Sequence, residues 1–451
     1  MVDTKTERAP QYGALYRTIW RWHFYAGLFV IPFILILSVT GGIYLFKPQL
    51  DHWQESEWTG LPVTDAVSPD AQVAAALAAS PGARFHNYRL PQNTGDAALV
   101  HVGLANDAGM RDIYVSPQGK VLALVDPDDR ISAIIANIHG SLLLGKPGSL
   151  LVELAASWAI VMILTGLYLW WPRERGLAGV IWPRWSIKGR SFLRDLHAVT
   201  GFWVAGLALV TLASGLPWTE AWGTAFRMVR AEMGWNDGPQ NWKGGGDLHA
   251  AHDPDKMMAM KPDSALPVAH SAAMTLSDIA EKAKAENMPH PAIIMPPGAP
   301  ARFGPPNGDA WKLTSEAQNR PLIRAVSYDT DTGDILSRQD FADKHIIDRV
   351  INYGIAWHEG QLFGWINQLI GVMMALMLIM LCGTSILMWW KRRPPGRLGA
   401  PTSPKPPAKQ RTAMLILSVL ALLLPMLLAS IILIIVIEAA GKLIGKRMFV
   451  N

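Results

Sequence analysis

The chain has a single cysteine, Cys382, among 451 residues. An intramolecular disulfide is therefore impossible, no C-x-x-C-H motif exists, and iron–sulfur clusters and cysteine-based zinc sites are excluded. Any transition metal held here depends on histidine or oxygen donors. Charge is scarce too. Asp, Glu, Lys and Arg make up 17% of the residues, against roughly 25% in soluble proteins, while half of the chain is hydrophobic. No G-x-G-x-x-G follows a strand pattern, so no dinucleotide-binding domain is expected, and no general acid or base stands out.

Long apolar runs fill the place of the missing charge. Five are of a length to cross a hydrocarbon layer as helices, at about 20–46, 149–171, 196–217, 365–390 and 412–437. The first is longer than a signal-peptide core and lacks a clear A-x-A site after Thr40-Gly41-Gly42, so it reads as a retained anchor. The loop 172–195 carries Arg173, Arg175, Arg184, Lys188, Arg190 and Arg194 against two acids, and 391–411 carries seven Lys or Arg and no acid. By the positive-inside rule both loops, and the tail 1–19, are cytoplasmic, and the polar segments 47–148 and 218–364 face outward. The segment 47–148 has more acids than bases, so the net charge of +5 marks membrane orientation and no nucleic-acid partner is implied. An odd number of crossings puts the tail 438–451 outside, where Lys442, Lys446 and Arg447 fit that rule poorly.

Each external segment ends in a strand–turn–strand pattern. "DIYVSPQGKVLALVD" alternates about Pro117-Gln118-Gly119, and "RAVSYDTDTGDILSRQDF" about Asp331-Thr332-Gly333. Both read as closing hairpins of small α+β modules. The stretch 234–310 is rich in Gly, Pro, His and Met and reads as an irregular insertion with a short helix near 275–287.

The chain also repeats itself. "IHGSLLLGKPGSLLVELAASWAIVMILTGLYLWWPRERG" resembles "WHEGQLFGWINQLIGVMMALMLIMLCGTSILMWWKRRPPG": His139 precedes Trp170 by 31 positions (170 − 139) and His358 precedes Trp389 by 31 (389 − 358). "WHFYAGLF" and "LHAVTGFW" place His23 and His197 each four residues before a glycine, Gly27 and Gly201. The fold expected is a mainly α-helical integral membrane protein with a two-fold internal repeat of helix, external α+β module and helix, plus a fifth C-terminal helix outside the repeat. The two Trp-Trp pairs read as interfacial anchors.

His23 and His197 start outward-running helices at the cytoplasmic side, and His139 and His358 lie at or just before the outer start of inward-running ones. Imidazolium is costly near hydrocarbon, so these rings are expected neutral and engaged, and neutral imidazole is a good iron ligand. One haem ligated by each pair accounts for the pattern. With no C-x-x-C-H the haems are noncovalent, b-type. Arg17, Arg21, Arg190 and Arg194 lie beside the inner pair and Arg349 beside the outer one, where guanidinium can grip a propionate; their plainer role is to enforce topology. Of these, Arg21, Arg194 and Arg349 are the cofactor-binding candidates, with the four histidines as metal ligands.

On "WHFYAGLFVIPFILILSVTGGIYLF", "IHGSLLLG", "LTGLYLWWPR", "LHAVTGFW", "WHEGQLFG" and the two hairpins, the chain resembles the PepSY-associated transmembrane family, which includes bacterial inner-membrane ferrisiderophore reductases. The resemblance implies PepSY-like external modules and two haem b groups held by His23, His139, His197 and His358. It further implies electron passage from the cytoplasmic to the periplasmic side, where ferric iron in a siderophore or similar chelate is reduced. Two centres at different depths would shorten each electron hop, and adding an electron weakens a complex held by hard oxygen ligands. The donor, a separate cytoplasmic reductase or a membrane quinol, is not in the chain. Other readings stay open: a conduit to another periplasmic redox protein, a haem-free anchor whose two PepSY modules bind or inhibit a peptidase, or a permease subunit.

"GGGDLHAAHDPDKMMAMKP" places His249, His252, Met257, Met258 and Met260 in a Gly-rich loop, a donor set suited to Cu(I); a surface flap is the plainer reading. His52, His86, His101, His270, His290 and His345 have no spaced partners and read as surface or structural residues.

Overall fold

The computed structural model describes residues 14–171, 178–235, 274–300, 307–393 and 411–448. His249, His252, His270, Met257, Met258, Met260, Arg173 and Arg175 lie outside the described residues. In chain order, α1 (Ala14–Tyr44) is followed by α2 (Lys47–Gln54), α3 (Pro69–Ala79), β1 (Arg84–Arg89), β2 (Ala98–Gly103), β3 (Met110–Val115) and β4 (Val121–Val125). Next come α4 (Ile131–Ser141), α5 (Gly145–Trp170), α6 (Gly189–Gly215) and α7 (Glu220–Glu232). Then follow α8 (Leu276–Glu286), β5 (Ala292–Met295), β6 (Trp311–Ser315), β7 (Ala325–Tyr328) and β8 (Ile335–Gln339). The last helices are α9 (Ile346–His358), α10 (Trp365–Trp390), α11 (Arg411–Leu423) and α12 (Pro425–Met448).

These elements form two compact units. One draws on residues 1–39, 144–222 and 372–451, the other on 40–143 and 223–371.

In the first unit lie most of the apolar helices. Among the described residues, four helices are long and apolar enough to cross a membrane, over Leu15–Tyr44, Gly145–Trp170, Gly189–Trp218 and Trp365–Trp390. The chain is a multi-pass membrane protein. The fifth apolar run is not one helix: α11 and α12 meet at Leu424–Pro425. Proline lacks the N–H that an unbroken helix would use and its ring crowds the carbonyl four residues back, so the run breaks there. α12 packs on α5, where Trp158 donates from Nε1 to Ser430 Oγ at 3.1 Å and Val161, Ala421, Leu424 and Leu427 are buried together. Two carboxylates, Glu153 and Asp195, are deeply buried in this unit. Glu153 on α5 is 1% exposed and accepts the backbone N–H groups of Ala221 at 2.8 Å and Trp222 at 3.1 Å. It thereby caps the start of α7, where helical N–H groups have no partner of their own.

The second unit is built on one antiparallel sheet of eight strands in the order β4-β3-β2-β1-β5-β6-β7-β8. Both hairpins read from the sequence are present, as β3–β4 and β7–β8. The two halves are not separate modules, however. β1 and β5 pair with Tyr88 opposite Ile294 and Arg89 opposite Ile293, which fuses them into a single sheet. β5 falls within 234–310, read as irregular; its four residues, Ala292–Met295, are all buried between Pro291 and Pro296, and so short a run has no visible alternation. α8 matches the expected short helix. Thr275 and Asp278 form a capping box at its start, and Asn287 closes it in the left-handed region at φ +49°.

Alternation places the core. Tyr88, Val100, Val102, Ile113, Val115, Ile294, Leu313, Val326 and Tyr328 face α3 and α8, which contribute Val73, Ala76, Leu276, Ile279, Ala280 and Ala283. Residues one step along each strand face the other way, and there the first half of the sheet carries Leu99 and Tyr114 under Trp58, together with a charged network.

Candidate functional site

In the helical unit, His23 of α1 and His197 of α6 face each other with ring centres 6.4 Å apart and planes at 83°. His23 Nδ1 lies 3.1 Å from the carbonyl oxygen of Met162 and 3.1 Å from Thr165 Oγ1. A carbonyl only accepts, so Nδ1 carries the proton and Nε2 keeps its lone pair. Gly166 makes room for this ring: a Cβ there would stand 3.1 Å from His23 Cε1. His197 is held in the same manner on α10, with Nδ1 3.1 Å from Thr384 Oγ1 and 3.3 Å from Ser385 Oγ.

In the sheet unit, His139 and His358 form a second pair, with centres 6.2 Å apart and planes at 81°. Neither is on a long helix. His139 is in the last turn of α4, which ends at Leu142 and Leu143 in the left-handed region, and His358 closes α9 just before Gly360 at φ +72°. Thr40 Oγ1 lies 3.0 Å from His139 Nδ1. Around the second member, Gln361 and Gln368 both donate to the carbonyl of Leu45 at 3.0 Å, and Leu45 packs where a Cβ on Gly360 or Gly371 would stand.

Charged networks fix the two short helices. Glu55 receives both guanidinium nitrogens of Arg89, at 3.1 and 2.7 Å, Tyr114 OH at 2.7 Å and Arg130 at 2.8 Å. Arg130 precedes α4 and also reaches Asp112 at 3.1 Å, which holds His101 Nδ1 at 2.7 Å. Burial opposes charge on Glu55, yet Arg89, Tyr114 and Arg130 outweigh it and hold the carboxyl below the usual range. Ser132 donates to Asp51 at 2.6 Å, tying α4 to α2. For α9 the corresponding set is Asp348, 0% exposed, with Arg230 at 3.0 Å and Lys344 at 3.5 Å, and Arg320 with Glu359 at 3.3 Å. Burial draws Lys344 below its ordinary range despite Asp348.

What the pairs can hold follows from geometry. A metal–imidazole bond is about 2.0 Å and the ring centre lies roughly 1.1 Å behind the ligating nitrogen, so rings on opposite sides of one ion stand roughly 6.2 Å apart. The two separations, 6.4 and 6.2 Å, match that spacing. Among the described residues, no group of three or more His, Cys, Asp or Glu could hold a metal ion. Each pair thus offers two imidazoles and, among the described residues, no third His, Cys, Asp or Glu, a set that fits an iron whose remaining donors come with a macrocycle.

The arginines are less uniform. Arg194 lies about one turn before His197, is 48% exposed at its side chain and contacts Asp195 at 3.3 Å, while Arg184 grips Asp195 at 2.7 and 3.0 Å. Arg190 lies two turns before His197 on the same face. Arg21 is partly buried and, two residues before His23, lies roughly 200° around the helix from it. Arg349 lies nine residues, about two and a half turns, before His358 and so on the opposite face of α9 (358 − 349 = 9). Its Nε is buried with no hydrogen-bond partner among the described residues. Unread in the sequence was Arg392, whose guanidinium stacks 4.7 Å from the ring centre of Trp20, one turn from His23.

Other residues escaped as well. Thr165 lies 26 positions after His139 and Thr384 lies 26 after His358 (165 − 139; 384 − 358), so the spacing that paired the histidines also marks them. His86 and His101 are not isolated: they are cross-strand neighbours with ring centres 6.0 Å apart, brought together by a bulge between Phe85 and Asn87 that no residue pattern announces. His345 caps α9 and stacks on Trp235, with ring centres 5.6 Å apart.

Residues 20–392 match the family model described as the PepSY-associated TM region. The chain belongs to this family. A comparison with curated proteins finds no match. In this PepSY-associated protein the matched region begins just before His23 and ends at Arg392, taking in both histidine pairs, the sheet, most of the first long apolar helix and all of the other three. α11 and α12 fall beyond it.

Proposed function

We propose that this PepSY-associated membrane protein is a haem b oxidoreductase that passes electrons from the cytoplasmic side of a bacterial inner membrane to the periplasm, where it reduces ferric iron in a siderophore or similar chelate. The observation that carries the reading is the pair of imidazole couples, each spaced as two ligands of one ion. His23 with His197, and His139 with His358, would hold the two groups, and haem b when bound supplies a one-electron carrier at each. The polypeptide's part is to keep all four imidazoles neutral, oriented and shielded from water. Thr165, Thr384 and Thr40 orient rings by hydrogen bonds, and Gly166 and Gly41 clear the space they occupy.

The orientation rests on the basic loops 172–195 and 391–411. In this reading the N-terminus is cytoplasmic, residues 47–148 and 218–364 are the periplasmic PepSY-like halves of an internal repeat, and the run 412–437 is a broken fifth crossing. Arg194 and Arg190, one and two turns before His197, and Arg392, stacked on Trp20, are the cations that would meet a propionate at the cytoplasmic pair, with Arg21 on the far side of α1 from His23. The acceptor reaction needs one electron per ferric ion and no proton transfer. A reduced flavoprotein or a quinol, each a two-electron donor, would fill the two centres.

The test is anaerobic mixing of the dithionite-reduced, desalted protein with a ferric siderophore and a ferrous-iron trap. The expected result is reoxidation of the haem bands with one trapped Fe²⁺ per electron lost, abolished by His139→Ala or His358→Ala. Haem bands that stay reduced in the presence of several ferric chelates would overturn the chelate-reductase reading.

A further inference from the structure

The two rings of the His23–His197 pair are held by threonines in one repeated arrangement. Thr165 Oγ1 donates its only proton back to its own helix, to the carbonyls of Val161 at 2.8 Å and Met162 at 3.0 Å. Thr384 does the same toward Met380 at 2.9 Å and Leu381 at 3.0 Å. With the proton committed, each hydroxyl can only accept from the imidazole beside it, at 3.1 Å in both cases. A threonine inside a helix that bonds back to its own turn slightly weakens that helix and has many substitutes in an apolar span. Two of them, each 26 residues after a paired histidine and each against Nδ1 of a ring from another helix, are more than filler.

We propose that Thr165 and Thr384 are positioning residues that lock His23 and His197 as Nδ1–H tautomers and lower the reduction potential of the centre these histidines bind. The proposal rests on the haem reading above. An acceptor on Nδ1–H pushes electron density onto Nε2, makes the imidazole a stronger donor to iron and so favours the higher-charged ferric state. The Met162 carbonyl supports His23 in the same sense. The His139–His358 pair has a different frame, since Thr40 reaches its ring from α1, whereas Thr165 and Thr384 reach theirs from α5 and α10. The two centres therefore differ in how their ligands are tuned, and the threonines act on one of them only.

The experiment is a spectroelectrochemical titration of the full-length protein and its Thr165→Val, Thr384→Val, double Val, Thr165→Ser and Thr384→Ser variants, with low-spin ferric EPR on the same samples. Valine keeps the threonine's shape and removes the hydroxyl. The centre lost in His23→Ala identifies the signal to follow. Its potential is expected to rise in each Val variant, by up to about tenfold in the reduced-to-oxidised ratio, or about 59 mV for one electron. The double variant should rise furthest, the g-values should move with the potential, and Ser should restore both. The other centre should not respond. An unchanged potential, an equal shift at both centres, or a shift that Ser does not reverse would overturn the proposal. Loss of haem from a Val variant supports it if the Ser variant keeps the haem and counts against it if not. A wild-type protein without haem would instead remove the underlying reading, so the two failures are distinct.

Discussion

Gly41 and His139 are fitted to each other: a Cβ on the glycine would stand 3.0 Å from Cε1 and 3.4 Å from Nδ1 of the imidazole. The glycine is on α1 with ordinary helical backbone, so alanine there should, if anything, favour the helix by about 0.5–1 kcal/mol. Any damage from Gly41→Ala must then come from displacing the ring. We expect Gly41→Ala to perturb the His139–His358 centre alone, and Gly166→Ala to perturb the His23–His197 centre alone, because the Cβ there meets His23 at 3.1 Å. Gly206→Ala, which meets nothing within 4 Å, is the control. Absorption and EPR spectra of the three variants check this, and equal spectra throughout would contradict it.

The Glu55 network should make the sheet unit acid-sensitive. Its folded carboxyl lies below its ordinary value, so its contribution to stability is complete above the unfolded carboxylate range and is lost as pH falls through the lower folded value. Asp112 behaves alike: burial opposes its charge, but His101 and Arg130 prevail. Glu55→Gln keeps the shape but weakens four hydrogen bonds, at a cost of about 1–3 kcal/mol. Thermal unfolding between neutral and acid pH should show a lower melting temperature for the variant near neutrality and a shallower fall below about pH 4.

Removing Asp348 should be worse. It is the counter-charge of Arg230 and Lys344, both almost fully buried, and stripping one partner from a buried pair costs about 3–5 kcal/mol. Asp348→Asn is expected to reduce folded yield and to loosen α9, which carries His358. Size-exclusion profiles and haem content read these effects together. A variant with wild-type yield and both centres intact would show that the cluster does not position the histidine.

Much of this architecture was legible in the sequence, and the losses have physical causes. Trp365–Trp390 was readable at both ends because an apolar run meets a glycine turn on one side and clustered arginine and lysine on the other. The histidines stood out because each lies at the edge of an apolar run, where an imidazole is conspicuous. Pro425 was a legible breaker that the unbroken hydrophobicity of 412–437 concealed. β5 was not legible, since its four buried residues gain their identity as a strand from neighbours on both sides. The His86–His101 contact depends on a bulge, and the Arg230–Asp348 pair joins residues 118 apart, so neither leaves a local trace. Thr165 and Thr384 were within reach: the spacing that related the histidines relates them as well.

The C-terminal helices offer a further check. Truncation after residue 410 removes the Trp158–Ser430 hydrogen bond and uncovers Val161 and Leu216. Exposure to lipid in place of another helix costs little, because acyl chains are as apolar as the side chains removed, and the lost bond is worth about 0.6 kcal/mol. The truncated protein should keep both centres with a small drop in melting temperature in detergent. Complete loss of haem would assign α11 and α12 a part in the site.

The most direct measurement is haem stoichiometry with reduced-minus-oxidised spectra on the purified wild type and on His23→Ala, His139→Ala, His197→Ala and His358→Ala. Two noncovalent haem b groups per chain are predicted, with one centre lost in either His23→Ala or His197→Ala and the other in either His139→Ala or His358→Ala. A folded, colourless protein from cells supplied with haem precursor, or loss of both groups from every single variant, would contradict the account.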